Sequence, residues 1–201
     1  MSATLNTTNI KHASSGSNNI VLASDGSTTI SGNVTCSGTA TGFGGGKLVN
    51  FAQTVKTNTF SQSLGQAAYS NNCIELNYAA ASSSNKLLIM ASLTVSYQHG
   101  QSIKMRYSLS DSVIQAVTGD ADGSRDRSTT EAWINSSSQS TNIAFNYLHS
   151  SPSTSTVTYG IQLGQKDNGT QTVYLNRNHA DGNLDYNARS ASTLTIMEFS
   201  T

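Results

Sequence analysis

The acidic side chains are few enough to follow one by one. Glu75, Glu131 and Glu198 are the only glutamates. Cleaving a glycosidic bond needs two carboxyl groups facing each other across a cleft. Glu75 and Glu198 fall inside strand-like patterns, and Glu131 stands apart from both. Asp120, Asp122 and Asp126 lie among Gly119 and Gly123, a composition that suits a calcium loop. Such a loop closes with a bidentate carboxylate at a fixed offset. Glu131 misses that offset, and Arg125 and Arg127 interleave with the acids. A solvated loop, or salt bridges between subunits, is the expected use of these residues. Asp181 and Asp185 share a second polar loop with His179, where solvation is again expected. His12, His99, His149 and His179 show no zinc spacing. Gly44-Gly45-Gly46 lacks the Gly-Lys-Ser/Thr ending of a phosphate loop. The residues therefore predict no catalytic group, no metal and no cofactor, and the chain is not read as an enzyme.

Aromatic residues offer a different chemistry. Trp133, Tyr107, Tyr147, Tyr174 and Tyr186 have polar neighbours. Rings in such settings suit the faces of sugars, although in β-proteins most of them pack against an adjacent strand. Trp133 and Tyr186 adjoin long polar loops, which makes them the two candidate glycan contacts.

The elements that must position these residues are strands. Lys86–Tyr97 carries Leu87, Ile89, Ala91, Leu93, Val95 and Tyr97 at every odd position. Period-two alternation buries one face. Leu88 and Met90 on the other face predict a central strand whose second face is partly covered by a neighbouring subunit. Similar patterns run through Lys47–Lys56, Asn72–Tyr78, 103–109, 143–147, 157–163, 173–175 and 194–199. Val113–Val117 is compatible with a strand or a helical turn. Asp167-Asn168-Gly169 predicts a hairpin between the strands on either side. About eight strands with turn-rich connections predict an all-β fold, an antiparallel sandwich or jelly roll.

Residues 1–45 differ. They are rich in Ser, Thr, Asn and Gly, with isolated Leu5, Ile10, Ile20, Leu22, Ile30 and Val34. Too few apolar residues are present to bury a core alone. Short strand-like pieces around the Ser24-Asp25-Gly26-Ser27 turn predict an extended strand-and-turn stalk that orders when copies wrap around each other. The glycines at 44–46 mark the boundary with a head at 46–201.

Composition excludes several classes of partner. Charged residues make up 11% of the 201 residues, against about 25% in ordinary domains. Lys+Arg and Asp+Glu are 11 each, for zero formal net charge, so the basic stripe of a nucleic-acid binder is not expected. No run of 18 apolar residues predicts membrane insertion. The N-terminus has no charged-then-apolar signal region, which predicts assembly in a cytoplasm. Cys36 and Cys73, far apart in sequence, are then expected as free thiols.

Several segments, in order, resemble a known family. They are Ile10-Lys11-His12-Ala13-Ser14-Ser15, Asn19-Ile20-Val21-Leu22 with Asp25-Gly26, 53–61, 84–90, Gly123-Ser124-Arg125-Asp126-Arg127, 147–152, Val173-Tyr174-Leu175-Asn176-Arg177 and Thr195-Ile196-Met197-Glu198. This series resembles small fibre-like proteins of tailed bacteriophages, especially marine and cyanobacterial ones, over nearly the whole chain. One departure is the usual acidic residue between Leu148 and Pro152, where this chain has His149-Ser150-Ser151. The resemblance implies a homotrimeric structural protein on the virion surface, joined to tail or capsid proteins. It brings no catalytic residue with it. The expectation is a tail-fibre or spike-like appendage, with the 1–45 arm attached to the particle and the head on a host-surface glycan. Capsid decoration is the alternative in the same class, favoured by the short chain. Polysaccharide hydrolysis is the alternative from another class.

Overall fold

The computed structural model describes residues 7–18, 20–30, 47–97, 102–110, 112–113, 117–125, 127–150, 152–165, 169–185 and 187–200. Leu5, Val34, Cys36, His99, Asp126 and Tyr186 lie outside the described residues. The chain divides into two compact units, Met1–Gly44 and Gly45–Thr201.

The first unit holds a three-stranded antiparallel meander of β1 (Asn9–Ile10), β2 (Ile20–Leu22) and β3 (Thr28–Ile30). The β2–β3 turn closes because the Asp25 carboxylate accepts the Ser27 amide at 2.8 Å and Gly26 takes φ +83°. Register sets Ile10 opposite Ile20, and Ile20 opposite Ile30, so the three isoleucines form one cross-strand row. Ile10, Leu22 and Ile30 remain exposed.

The second unit is a β-sandwich. Its strands are β4 (Leu48–Lys56), β5 (Phe60–Leu64), β6 (Tyr69–Tyr78), β7 (Lys86–Tyr97), β8 (Ser102–Leu109), β9 (Ser112–Val113), β10 (Thr130–Trp133), β11 (Thr141–Ser150), β12 (Val157–Gln165), β13 (Gln171–Leu175) and β14 (Ser192–Phe199). Several are halves of one course. β13 and β14 pair end to end along one edge of β7, and β11 takes its other edge. β5 and β4 continue that arrangement outward on β13 and β14. β9 and β10 likewise share one edge of β8.

Joining the halves leaves eight courses: β4/β5, β6, β7, β8, β9/β10, β11, β12 and β13/β14. In chain order, one sheet runs first, eighth, third, sixth, and the other runs fifth, fourth, seventh, second. This interleaving of two Greek keys across two sheets is the jelly roll. The expected all-β sandwich is therefore present, although two expected strands, 173–175 and 194–199, share one course, and the β9/β10 course was not among the expected strands.

β7 occupies the middle of its sheet, as its alternation predicts. Leu87, Ile89, Leu93, Val95 and Tyr97 are wholly buried against Tyr159, Ile161 and Leu163 of β12 and the inward residues of β13 and β14, Val173, Leu175, Leu194 and Ile196. Cys73 and Ile74 on β6 are both buried although adjacent, because the β6–β12 pairing slips in register there. Such a bulge turns consecutive side chains toward one side.

One expectation is corrected. β12 and β13 do not form a hairpin: β12 lies between β6 and β8, and β13 lies between β5 and β7 in the opposite sheet. The Asp167-Asn168-Gly169 segment, itself outside the described residues apart from Gly169, connects strands of two sheets. The composition of the connection is the same in either case, and the partner strands decide which sheet the chain enters. β5, unrecognised in the sequence, forms because its alternation of Phe60, Gln62 and Leu64 completes the edge beside β13.

Candidate functional site

The best-organised polar surface is built by two loops, 134–140 after β10 and 176–191 between β13 and β14. The second loop leaves and re-enters a single course, so its two ends must be pinned together. Asn176 does this. Its backbone takes φ +62°, a left-handed conformation that Asn tolerates better than most residues. Its amide donates to the Thr94 carbonyl at 2.8 Å, and its carbonyl accepts from the Ser190 amide at 3.2 Å. Its side-chain Nδ2 donates to the Lys56 and Asn58 carbonyls at 2.7 and 3.0 Å, bridging the break between β4 and β5. Oδ1 accepts from Ser192 Oγ at 2.6 Å. Asn176 is fully buried.

Beyond that anchor the loop is held by amides. Asn178 Nδ2 donates to Asn187 Oδ1 at 2.6 Å and to the Ser138 carbonyl at 3.1 Å, while Asn178 Oδ1 accepts the Asp181 amide at 2.8 Å. The Ala180 amide donates to the Ser137 carbonyl at 3.1 Å, so the two loops are bonded to each other. Asp181, at φ +43°, accepts from Arg177 and, at 2.9 Å, from Arg189. The Arg177 guanidinium also lies 4.5 Å from the Tyr174 ring centroid, and Tyr174 shares a 2.7 Å hydrogen bond with His179 Nδ1. Cation–π and ion-pair contacts together hold the guanidinium in place.

Two shallow depressions open here. One, of about 180 Å³, is lined by Asp181, Gly182, Asn183, Leu184, Asn187 and Arg189. The other, of about 270 Å³, is lined by Trp133, Ile134, Asn135, Gln139, Ser140 and Thr141. Both are smaller than the ~300–1,000 Å³ of a pocket that engulfs a small molecule. Trp133 is 64% exposed at the rim of the second. An exposed indole beside planar amides offers a stacking surface and paired donors and acceptors, the chemistry that meets a sugar ring. Tyr186, in the 176–191 segment of the sequence, lies outside the described residues. Tyr174 is a packed ring beneath Arg177, and Tyr147 packs against the core.

The carboxylates have separate roles. Glu198 is fully buried, accepting from Tyr78 Oη at 2.6 Å, Asn85 Nδ2 at 2.6 Å and the Ala81 amide at 2.8 Å. Glu75 and Glu131 are exposed on β6 and β10, at opposite edges of one sheet. Three strand spacings, about 14 Å, lie between those edges, beyond the ~5–9.5 Å separation of a glycosidase pair. Asp122 pairs with Arg125 on the surface. Among the described residues, no three His, Cys, Asp or Glu side chains gather as a metal site would require. A further cavity of about 320 Å³ is lined in part by Lys56, Cys73 and Glu75. Burial pushes the Cys73 thiol up to about 12, which keeps it protonated and unreactive at neutral pH.

Sequence pattern indicates Trp133 but not Asn135 and Gln139 beside it, nor Arg177, Asn178, Asn187 and Arg189 in the loop bonded to theirs. The available signal was the density of Asn between 176 and 187. Asn side chains mimic backbone turns, so such a run marks a loop with a definite shape.

No family model matches the chain. No curated protein matches it either. Among the solved structures that match is one described as the structure of infectious bursal disease virus Gx strain, at 10% identity and a TM-score of 0.36. The match covers 75% of this chain and 40% of that one. A likeness of that size bears on neither activity nor assembly.

Proposed function

We propose that this protein is a structural component of a phage virion, a trimeric tail-fibre or spike-like appendage that binds a glycan on the host surface. The observation that carries the binding role is the loop end of the sandwich, where Trp133 stands exposed beside two loops bonded to each other. A rigid polar surface with one aromatic platform suits recognition of an extended saccharide. The preformed loops reduce the ordering cost of binding. The ordered series of segments shared with fibre-like phage proteins supports the virion setting. In this reading the protein alters no bond in its ligand. The exposed isoleucine row of the 1–45 arm supports attachment to another virion protein. It serves a tail or a capsid site equally, so capsid decoration is the second reading.

Binding to purified host capsule or lipopolysaccharide fragments tests the role. Trp133→Ala should weaken binding at least tenfold while leaving the thermal melt unchanged, because the ring is on the surface. Unchanged affinity in Trp133→Ala and in Asn187→Ala would remove the loop end from the binding surface. Sizing of the polysaccharide after incubation should show intact chains. Shortening that disappears when an Asp or Glu is replaced would establish the hydrolase reading instead. Labelled particles viewed by electron microscopy distinguish tail from capsid.

A further inference from the structure

The outer face of the β4–β14–β7–β11 sheet carries an apolar row that no packing among the described residues of this unit explains. Residues paired directly across antiparallel strands point to the same side. Phe51 pairs with Met197, Met197 with Leu88, and Leu88 with Leu148. These four side chains therefore form one line across all four strands, on the side opposite the core. Phe51 is 53% exposed and Leu148 51%, with Leu88 and Met197 half-buried between them. Met90 and Phe199 flank the row. In the row of Met90, its cross-strand neighbours Gln53, Thr195 and Asn146 make one polar margin.

We infer that this face packs against a second copy of this chain. The area is adequate. Four strands about 4.8 Å apart and nine residues at ~3.3 Å each give a flat footprint of roughly 500 Å². Side-chain relief adds to that, approaching the ~800 Å² each partner contributes to a standard interface. The anatomy is that of an interface, an apolar centre with polar margins. The charge pattern selects the occupant. Lys86 is the only charged side chain the strands β4, β7, β11 and β14 present on this side. An acidic or basic partner finds no set of counter-charges here. Around a three-fold axis the same uncharged face of each copy meets those of two others without repulsion and hides the liability on all three. The inference deepens the assembly part of the proposed function and is independent of what Trp133 binds.

Full-length protein and two variants, Phe51→Glu and Leu148→Glu, test it by light scattering at micromolar concentration. The expected wild-type mass is that of three chains, and each variant should shift to the monomer or dissociate at least tenfold more readily. Both positions are exposed, so a cooperative melt should be retained. Hydroxyl-radical oxidation of unmutated protein gives a reading that no variant can spoil. Met90 and Met197 should be protected at high concentration and lose that protection on dilution. A monomeric wild type, or assemblies unaffected by both substitutions, would overturn the inference, as would oxidation of Met90 and Met197 that does not change with concentration. A monomeric variant that still binds glycan separates this interface from the receptor reading, while loss of glycan binding by Trp133→Ala leaves the interface untouched.

Discussion

Glu198 shows how one residue can look like chemistry and serve as structure. Burial pushes its carboxyl up, and the hydrogen bonds from Tyr78, Asn85 and the Ala81 and Ser82 amides outweigh burial, so it titrates below the ordinary 4.5. Burial, with the Glu198 charge added to it, raises Tyr78 and Tyr159, the latter to about 12. The carboxylate thus clasps the 79–85 segment onto β14. Hydrogen bonds to a charged group contribute about 1.5–3 kcal/mol each. Glu198→Gln should therefore lose at least about 2 kcal/mol at pH 7 by urea denaturation. The sign with pH is definite. A carboxyl lowered in the folded state contributes stability above 4.5 that is lost as pH falls through its folded value. The gap between wild type and Glu198→Gln should narrow between pH 5 and pH 3. His149 adds an earlier loss, because burial lowers it from 6.5 and the unfolded chain takes up the proton first. His149→Gln should flatten the decline that wild type shows just below pH 6.5.

At the scale of elements, the composite β13/β14 course depends on a single anchor. The 176–191 loop interrupts a continuous strand, and Asn176 restores continuity by serving β4, the link from β4 to β5, β7 and β14 at once. Neutral hydrogen bonds contribute about 1 kcal/mol each, and a left-handed non-Gly backbone costs Ala a further ~1 kcal/mol. Asn176→Ala should lose about 3–4 kcal/mol of stability, and Asn176→Gly about 1 kcal/mol less, since glycine accepts the backbone angle. Chemical denaturation of both variants checks the order. The same substitutions should weaken glycan binding, because the loop that completes the Trp133 surface loses its fixed ends. An Asn176→Ala protein that binds as wild type would show that loop order is irrelevant to recognition.

For the whole molecule, the division into two units makes a further prediction. The head contains the buried core, while the arm has short strands with exposed Ile10 and Ile30. A small three-stranded sheet without a covered face has little independent stability. Removing residues 1–45 should leave a soluble head with a cooperative melt that no longer incorporates into particles. Aggregation of the truncated protein would place the arm in the core. Full incorporation would move the attachment surface to the head and favour capsid decoration over a tail fibre.

Much of the head was legible because alternation is local. Lys86–Tyr97 reads as a strand, and its bounds and buried face are as expected, since side-chain direction follows residue by residue from an extended backbone. The apolar residues on its second face, Leu88 and Met90, were legible for the same reason, although the row they join was not. That row needs Phe51, Met197 and Leu148, which pairing alone brings beside them. The fates of β12 and β13, the anchoring by Asn176 and the burial of Glu198 also depend on partners far away in sequence. A strand carries the same local signal in either sheet, and a glutamate carries the same charge in a cleft or a core. Trp133 was visible as an exposed ring beside a polar loop, but the second loop bonded to the first became its neighbour only through tertiary structure. Local pattern determined which residues form strands and which side of each is apolar. Long-range hydrogen bonding decided which strands meet, and hence where the polar side chains converge.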